Sequence, residues 1–222
     1  MLREKQALPI KGLLPIVLTS LFFNFAYTLV SPVYPLFVKD LIENDSYVGY
    51  FAASIAFLMI IYSFLIQPIL ARFKKISILK FGLIGLSASF VAIYFVKSIY
   101  TLLIIELFRT FFLTCILVPT ALLIRDIANK KNLGKTEGFY FTVANLAWMI
   151  GPLLGGLIAN SYGLKEIFLL SAILPLLSFV IISSKKFKEH NVLHKIHHSI
   201  PANLSDFVKS KSPQSLKMQA II

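Results

Sequence analysis

Six stretches of this chain are each long and apolar enough to cross a lipid bilayer, and they decide what it can fold into. They run from about Leu13 to Val38, Tyr47 to Leu70, Ser77 to Val96, Ile99 to Ile124, Gly138 to Asn160 and Glu166 to Ser183. A spanning helix needs about 20 mainly apolar residues. In hydrocarbon each backbone N–H and C=O must find its partner within the protein, which a helix achieves inside a single segment. Short connections make the six helices neighbours in one bundle. Composition agrees: the 222 residues are 57% hydrophobic and 14% charged, against about 45–50% and 25% for a soluble domain. The predicted fold is an all-α membrane protein: a six-transmembrane-helix bundle over 13–183, an N-terminal segment over 1–12 and a basic tail over 184–222.

The net charge of +12 invites a nucleic-acid reading, but its distribution argues against one. Lysines and arginines cluster before the first span, between the second and third, between the fourth and fifth, and after the sixth. Eighteen of the 22 fall on that one side; Lys39, Lys97 and Lys165 fall on the other, and Arg109 lies within a span. Cytoplasmic loops carry such an excess, so both termini are expected in the cytoplasm of a multi-pass cell-membrane protein. The acidic residues Asp40, Glu43 and Asp45 fall outside, in keeping with this. The first span is expected to persist as a helix, because it is longer than a signal peptide's apolar core and no A-x-A-like site follows it. The single cysteine, Cys115, excludes an intrachain disulfide.

Two groups of polar residues stand out inside the spans. Glu106 and Arg109, three residues apart in the fourth, share a helix face. An ionised side chain at mid-membrane costs about 2.5–3.5 kcal/mol on the insertion scale, so it faces a partner or a water-filled cavity. The pair marks a solute or proton pathway, or else fixes helix packing. In the first span Ser20, Asn24, Tyr27, Ser31 and Tyr34 recur at steps of four and three, which makes one polar stripe. A helix lining a cavity shows such a stripe, and so does one hydrogen-bonded to its neighbours in a dry bundle. Pro15, Pro32 and Pro35 let this helix bend near its ends. In the fifth span Thr142 and Asn145 share a face, with Trp148 a turn further on.

The segment GPLLGG, Gly151 to Gly156, puts a proline and three glycines into the fifth span. In lipid, small residues let helix backbones approach closely. Gly151, Gly155 and Ala159, spaced by four, form a smooth strip that Gly156 widens, and Pro152 removes one backbone bond. The run Gly138, eight residues, Ala147, three residues, Gly151-Pro152, two residues, Gly155-Gly156 resembles the fifth-helix antiporter motif of the major facilitator superfamily, G-x8-G-x3-GP-x2-GG, with Ala147 in place of one glycine. The loop QPILARFKKI resembles the family's G-x-L-A-D-R-x-G-R-R more weakly. Arg72 and Lys75 match, while Gln67, Ala71 and Lys74 replace Gly, Asp and Gly. Arg109 stands where the family's fourth helix carries R-x-x-x-G, with Leu113 for the glycine.

The resemblance spans about residues 12 to 184 and implies one half of a major facilitator transporter. Such a half is two three-helix repeats with a cavity lined mainly by the first and fourth helices. It implies alternating access, and its antiporter branch implies outward movement of a small solute in exchange for protons. On that reading Glu106 carries protons, Arg109 pairs with Glu106 or an anionic substrate, and Asn24, Tyr27 and Asn145 are polar contacts in the cavity. No cofactor, metal or nucleic acid is expected. The expected partners are the lipid bilayer, the solute, protons, and a second six-helix half from another copy or a separate chain. The alternative is a truncated or degenerate non-transporting membrane protein that binds another transporter half. In the tail, which resembles a central linker, His190, His194 and His198 are spaced by four. That fits a metal, or more simply one face of a surface helix. An intramembrane protease needs a histidine within the bundle, and all four histidines lie at or beyond His190. No Gly-rich phosphate loop is present for ATP.

Overall fold

The computed structural model describes residues 10–42, 45–128 and 132–184. They form α1 (Ile10–Val30), α2 (Tyr34–Ile42), α3 (Asp45–Arg72), α4 (Lys75–Tyr94), α5 (Ile99–Ile127), α6 (Leu133–Tyr162) and α7 (Glu166–Ser183). Six of these are long and apolar enough to span a membrane. The tail, with His190, His194 and His198, lies outside the described residues.

The first span differs from the continuous helix expected over Leu13 to Val38. It breaks into α1 and α2 at a turn over Ser31, Pro32 and Val33. Pro32 and Pro35 lack the N–H groups a helix would use there. The Ser31 hydroxyl replaces one of them, donating to the Thr28 carbonyl at 3.1 Å. That carbonyl is the one Pro32 would otherwise have capped.

The helices pack in two layers. α5 and α1 lie at the centre of one layer, with α3 against α5 and α6 against α1; α4 and α7 lie behind, packed on each other. The α4–α5 contact corresponds to α7–α1, and α3–α5 to α6–α1. The bundle is thus two similar three-helix units, one built from α1 to α4 and one from α5 to α7. Inside it 67% of the α1 span is buried but 11% of the α3 span.

Close approach at the helix crossings comes from glycine. A Cβ on Gly82 would meet the Phe112 carbonyl of α5, and one on Gly85 the Phe112 ring. Hydroxyl-to-carbonyl bonds also tie the helices: Ser87 to Ala172 at 2.7 Å joins α4 to α7 within one layer, and Ser178 to Thr19 at 3.0 Å joins α7 to α1 across the two. Within a membrane each contributes about 0.6–2 kcal/mol. Gly163, with φ 113°, makes the left-handed turn between α6 and α7, a conformation that glycine adopts without steric cost.

At the basic end, Lys75 pairs with Asp126 at 2.5 Å and Arg125 with Glu137 at 3.3 Å. The first pair ties the start of α4 to the end of α5, and the second reaches α6. Both are partly open to solvent, so each adds little. A Lys75→Gln variant should lose about 0.2–1 kcal/mol at low salt and less at high salt, read as thermal unfolding in detergent. A larger loss would mean that the pair is shielded from water.

Candidate functional site

Glu106 and Arg109 lie one helical turn apart on the buried face of α5, 1% and 6% exposed. Arg109 is ten residues into α5, about 15 Å from its end at the usual rise, near the middle of a bilayer. Its Nε donates to Glu106 Oε1 at 2.7 Å. The same oxygen accepts the Tyr34 hydroxyl at 2.5 Å. Tyr34 is the first residue of α2, so the break in the first span delivers this donor to the acid. The other oxygen, Glu106 Oε2, is buried and has no hydrogen-bond partner among the described residues.

Aromatic rings enclose the cation. The Arg109 guanidinium lies 5.0 Å from the Tyr34 ring centre and 5.9 Å from that of Tyr27. Such contacts are worth about 0.5–2 kcal/mol, more when dry. Phe51 of α3 and Phe168 of α7 flank Tyr34 at 6.4 and 6.5 Å. Tyr27 leans on Trp148 of α6 at 6.0 Å. Trp148 Nε1 donates to Asn24 Oδ1 at 3.3 Å, and Asn24 Nδ2 donates to the Ser20 carbonyl and hydroxyl at 2.8 and 3.0 Å. One line of contacts therefore runs from Ser20 through Asn24, Trp148, Tyr27 and Arg109 to Glu106 and Tyr34, across α1, α2, α5 and α6.

The other residues singled out by sequence are distributed differently. Asn145 is exposed on α6. Of the α6 small-residue motif, Ala147, Gly151 and Gly155 are buried, while a Cβ on Gly138 or Gly156 would meet nothing. The Ala147 carbonyl accepts the Thr28 hydroxyl at 3.0 Å. A Cβ on Gly151 would strike the Thr28 side chain, and one on Gly155 the Leu29 backbone. Pro152 is half-buried beside them, Arg72 is exposed, and Lys75 is held by Asp126. Sequence reasoning placed Tyr34 on the polar stripe but gave it no role. Its distance of two helical turns from Tyr27, beside Pro32 and Pro35, was the available signal. No set of three metal-ligating side chains comes together among the described residues.

Chemically, the arrangement holds opposite charges away from water and leaves one carboxylate oxygen open. A buried unsatisfied acceptor costs about 1–3 kcal/mol, more when charged. Oε2 is the atom at which a proton, or a donor on a small solute, would relieve that cost.

The Major Facilitator Superfamily model matches residues 16–213. The chain is 28% identical over 164 residues to "Multidrug resistance protein MdtG" of Proteus mirabilis, covering 70% of this chain and 40% of that protein. It is 27% identical over 179 residues to "Multidrug resistance protein 1" of Bacillus subtilis, covering 80% and 46%. It is also 27% identical over 148 residues to "Multi-drug resistance efflux pump PmrA" of Streptococcus pneumoniae, covering 64% and 37%. The chain spans about half the length of these relatives. With six membrane-length helices and a family match over most of its length, this chain belongs to the major facilitator superfamily.

Proposed function

We propose that this chain carries a small, drug-like solute across the cell membrane by alternating access, as one half of a transporter exchanging solute for protons. The observation that carries the reading is the buried Glu106–Arg109 pair with its open carboxylate oxygen, held between α5 and a broken first helix. Intramembrane ionisable groups characteristically mark ion and substrate pathways. Broken helices characteristically supply transporter sites near the midplane. The names of the relatives, which include an efflux pump, favour an outward direction and a broad solute class. The positive-inside bias favours cytoplasmic termini. Asn24, Tyr27 and Asn145 would contact the solute, with a second six-helix half completing the transporter.

The test is flux in vesicles that carry an internal pH indicator and a fluorescent drug-like probe. Wild-type protein should couple probe movement to proton movement, and Glu106→Gln should abolish the coupling. Full coupling in that variant would remove Glu106 from the mechanism. No flux from wild-type protein, together with capture of a second transporter half, would favour a non-transporting binding partner.

A further inference from the structure

We infer that Tyr34 is a positioning residue that transmits the charge on Glu106 to α2, the separate outer segment of the first span. The inference rests on Glu106 taking the proton, as proposed above.

Glu106 Oε1 already accepts two hydrogen bonds, from Tyr34 and Arg109, whereas Oε2 is buried without a partner. A proton arriving from water therefore adds at Oε2. No other bond is made or broken, and the carboxylate becomes a neutral acid. A hydrogen bond to an ionised group is roughly twice as strong as one between neutral groups. Protonation thus weakens the Tyr34 bond without touching the apolar contacts of α2. Those include the packing of Phe37 on Phe168, at 5.1 Å between ring centres, and the burial of Val38. The Tyr34 bond is the contact of α2 whose strength follows the charge on the acid.

The backbone makes that contact mechanically useful. Tyr34 follows directly on the turn at Ser31, Pro32 and Val33, where α1 ends. A break of this kind lets one segment move without the other. Tyr34 also lies under the Arg109 guanidinium, so the same side chain meets both members of the ion pair. The groups around the acid are few. Arg109 faces it from α5 and Tyr34 from α2, with Tyr27 of α1 across the guanidinium; α3 and α7 present the apolar rings of Phe51 and Phe168 near Tyr34. Arginine and tyrosine side chains ordinarily hold one charge state from mildly acidic to neutral pH. The acid is the member of the set that can switch.

The experiment places spin labels at Asp40→Cys, beyond the turn on α2, and Tyr100→Cys at the start of α5, in a Cys115→Ala background. Both chosen positions are exposed. Distances are measured in lipid discs at mildly acidic and neutral pH, beside the vesicle flux assay. In the otherwise wild-type protein the distance distribution should shift with pH. Tyr34→Phe keeps the ring over Arg109 but removes the donor; it should lose the shift and stay at the acidic distribution at both pH values. Glu106→Gln should do the same. A pH shift that persists in Tyr34→Phe, or is missing from wild type, overturns the inference. Loss of proton coupling in Glu106→Gln alongside either result would leave the transport reading standing. Retained coupling in Glu106→Gln would sink the transport reading itself.

Discussion

Replacing Glu106 with alanine is expected to destabilise the folded bundle by about 3–5 kcal/mol. The reason is what remains. Arg109 is 6% exposed, and its Nε would lose the carboxylate that it contacts at 2.7 Å. A guanidinium does not shed its proton in a protein, so it cannot escape the cost by becoming neutral. The Tyr34 hydroxyl would lose its acceptor as well. Glu106→Gln should cost less, because an amide oxygen still accepts from both donors. That difference makes the glutamine variant suitable for flux and the alanine variant suitable for stability. A double variant, Glu106→Ala with Arg109→Met, should recover most of the loss, since it leaves no unpaired charge at this buried site. Replacing buried ion pairs with apolar side chains is often neutral or stabilising. Thermal unfolding of purified protein in detergent reads all three. If Glu106→Ala unfolds at the wild-type temperature, water reaches the guanidinium and the site is not the dry pair described.

The particular elements show how much could be read without coordinates. The six spans were legible because apolar length alone separates a membrane helix from other segments, and their order and number stand. The ion pair was legible because three residues on one helix fix a shared face. Neither property reports how one helix is rotated against another. That is why the bond from Tyr34 to Glu106, across 72 residues of sequence, stayed out of view while its two members were each noticed. The break at Ser31 to Val33 was half legible. Pro32 and Pro35 announced a bend, but not that the Ser31 hydroxyl would stand in for a missing N–H. The polar stripe shows the limit most clearly. Ser20 and Asn24 are bonded to each other, and Asn24 also to Trp148, whereas Tyr27 and Tyr34 meet the charges; one periodicity therefore covers two environments.

The four glycines of the α6 motif should not behave alike, although the pattern that names them treats them as equals. Gly155→Ala is expected to destabilise the protein by about 1–3 kcal/mol, the usual cost of overpacking, or to prevent folding. Its new Cβ would lie against the carbonyl and Cα of Leu29, which are backbone atoms and cannot rotate away. The only relief is to push α6 off α1, which would also stretch the Thr28–Ala147 bond and the Trp148–Asn24 contact. Gly151→Ala should be intermediate. Its Cβ meets the Thr28 hydroxyl, which can turn aside if it gives up its bond to the Ala147 carbonyl, and also the Thr28 Cβ, which moves only with the backbone. Gly138→Ala and Gly156→Ala meet open space and should leave the bundle unchanged or firmer, since alanine favours a helix over glycine by about 1 kcal/mol. Thermal unfolding and folded yield of the four single variants form one decisive series. Equal losses at all four would show that Gly138 and Gly156 press on a surface beyond the described helices. A loss confined to Gly151 and Gly155 would show that the motif acts inside this bundle, by letting α6 lie close against the helix that carries Asn24 and Tyr27.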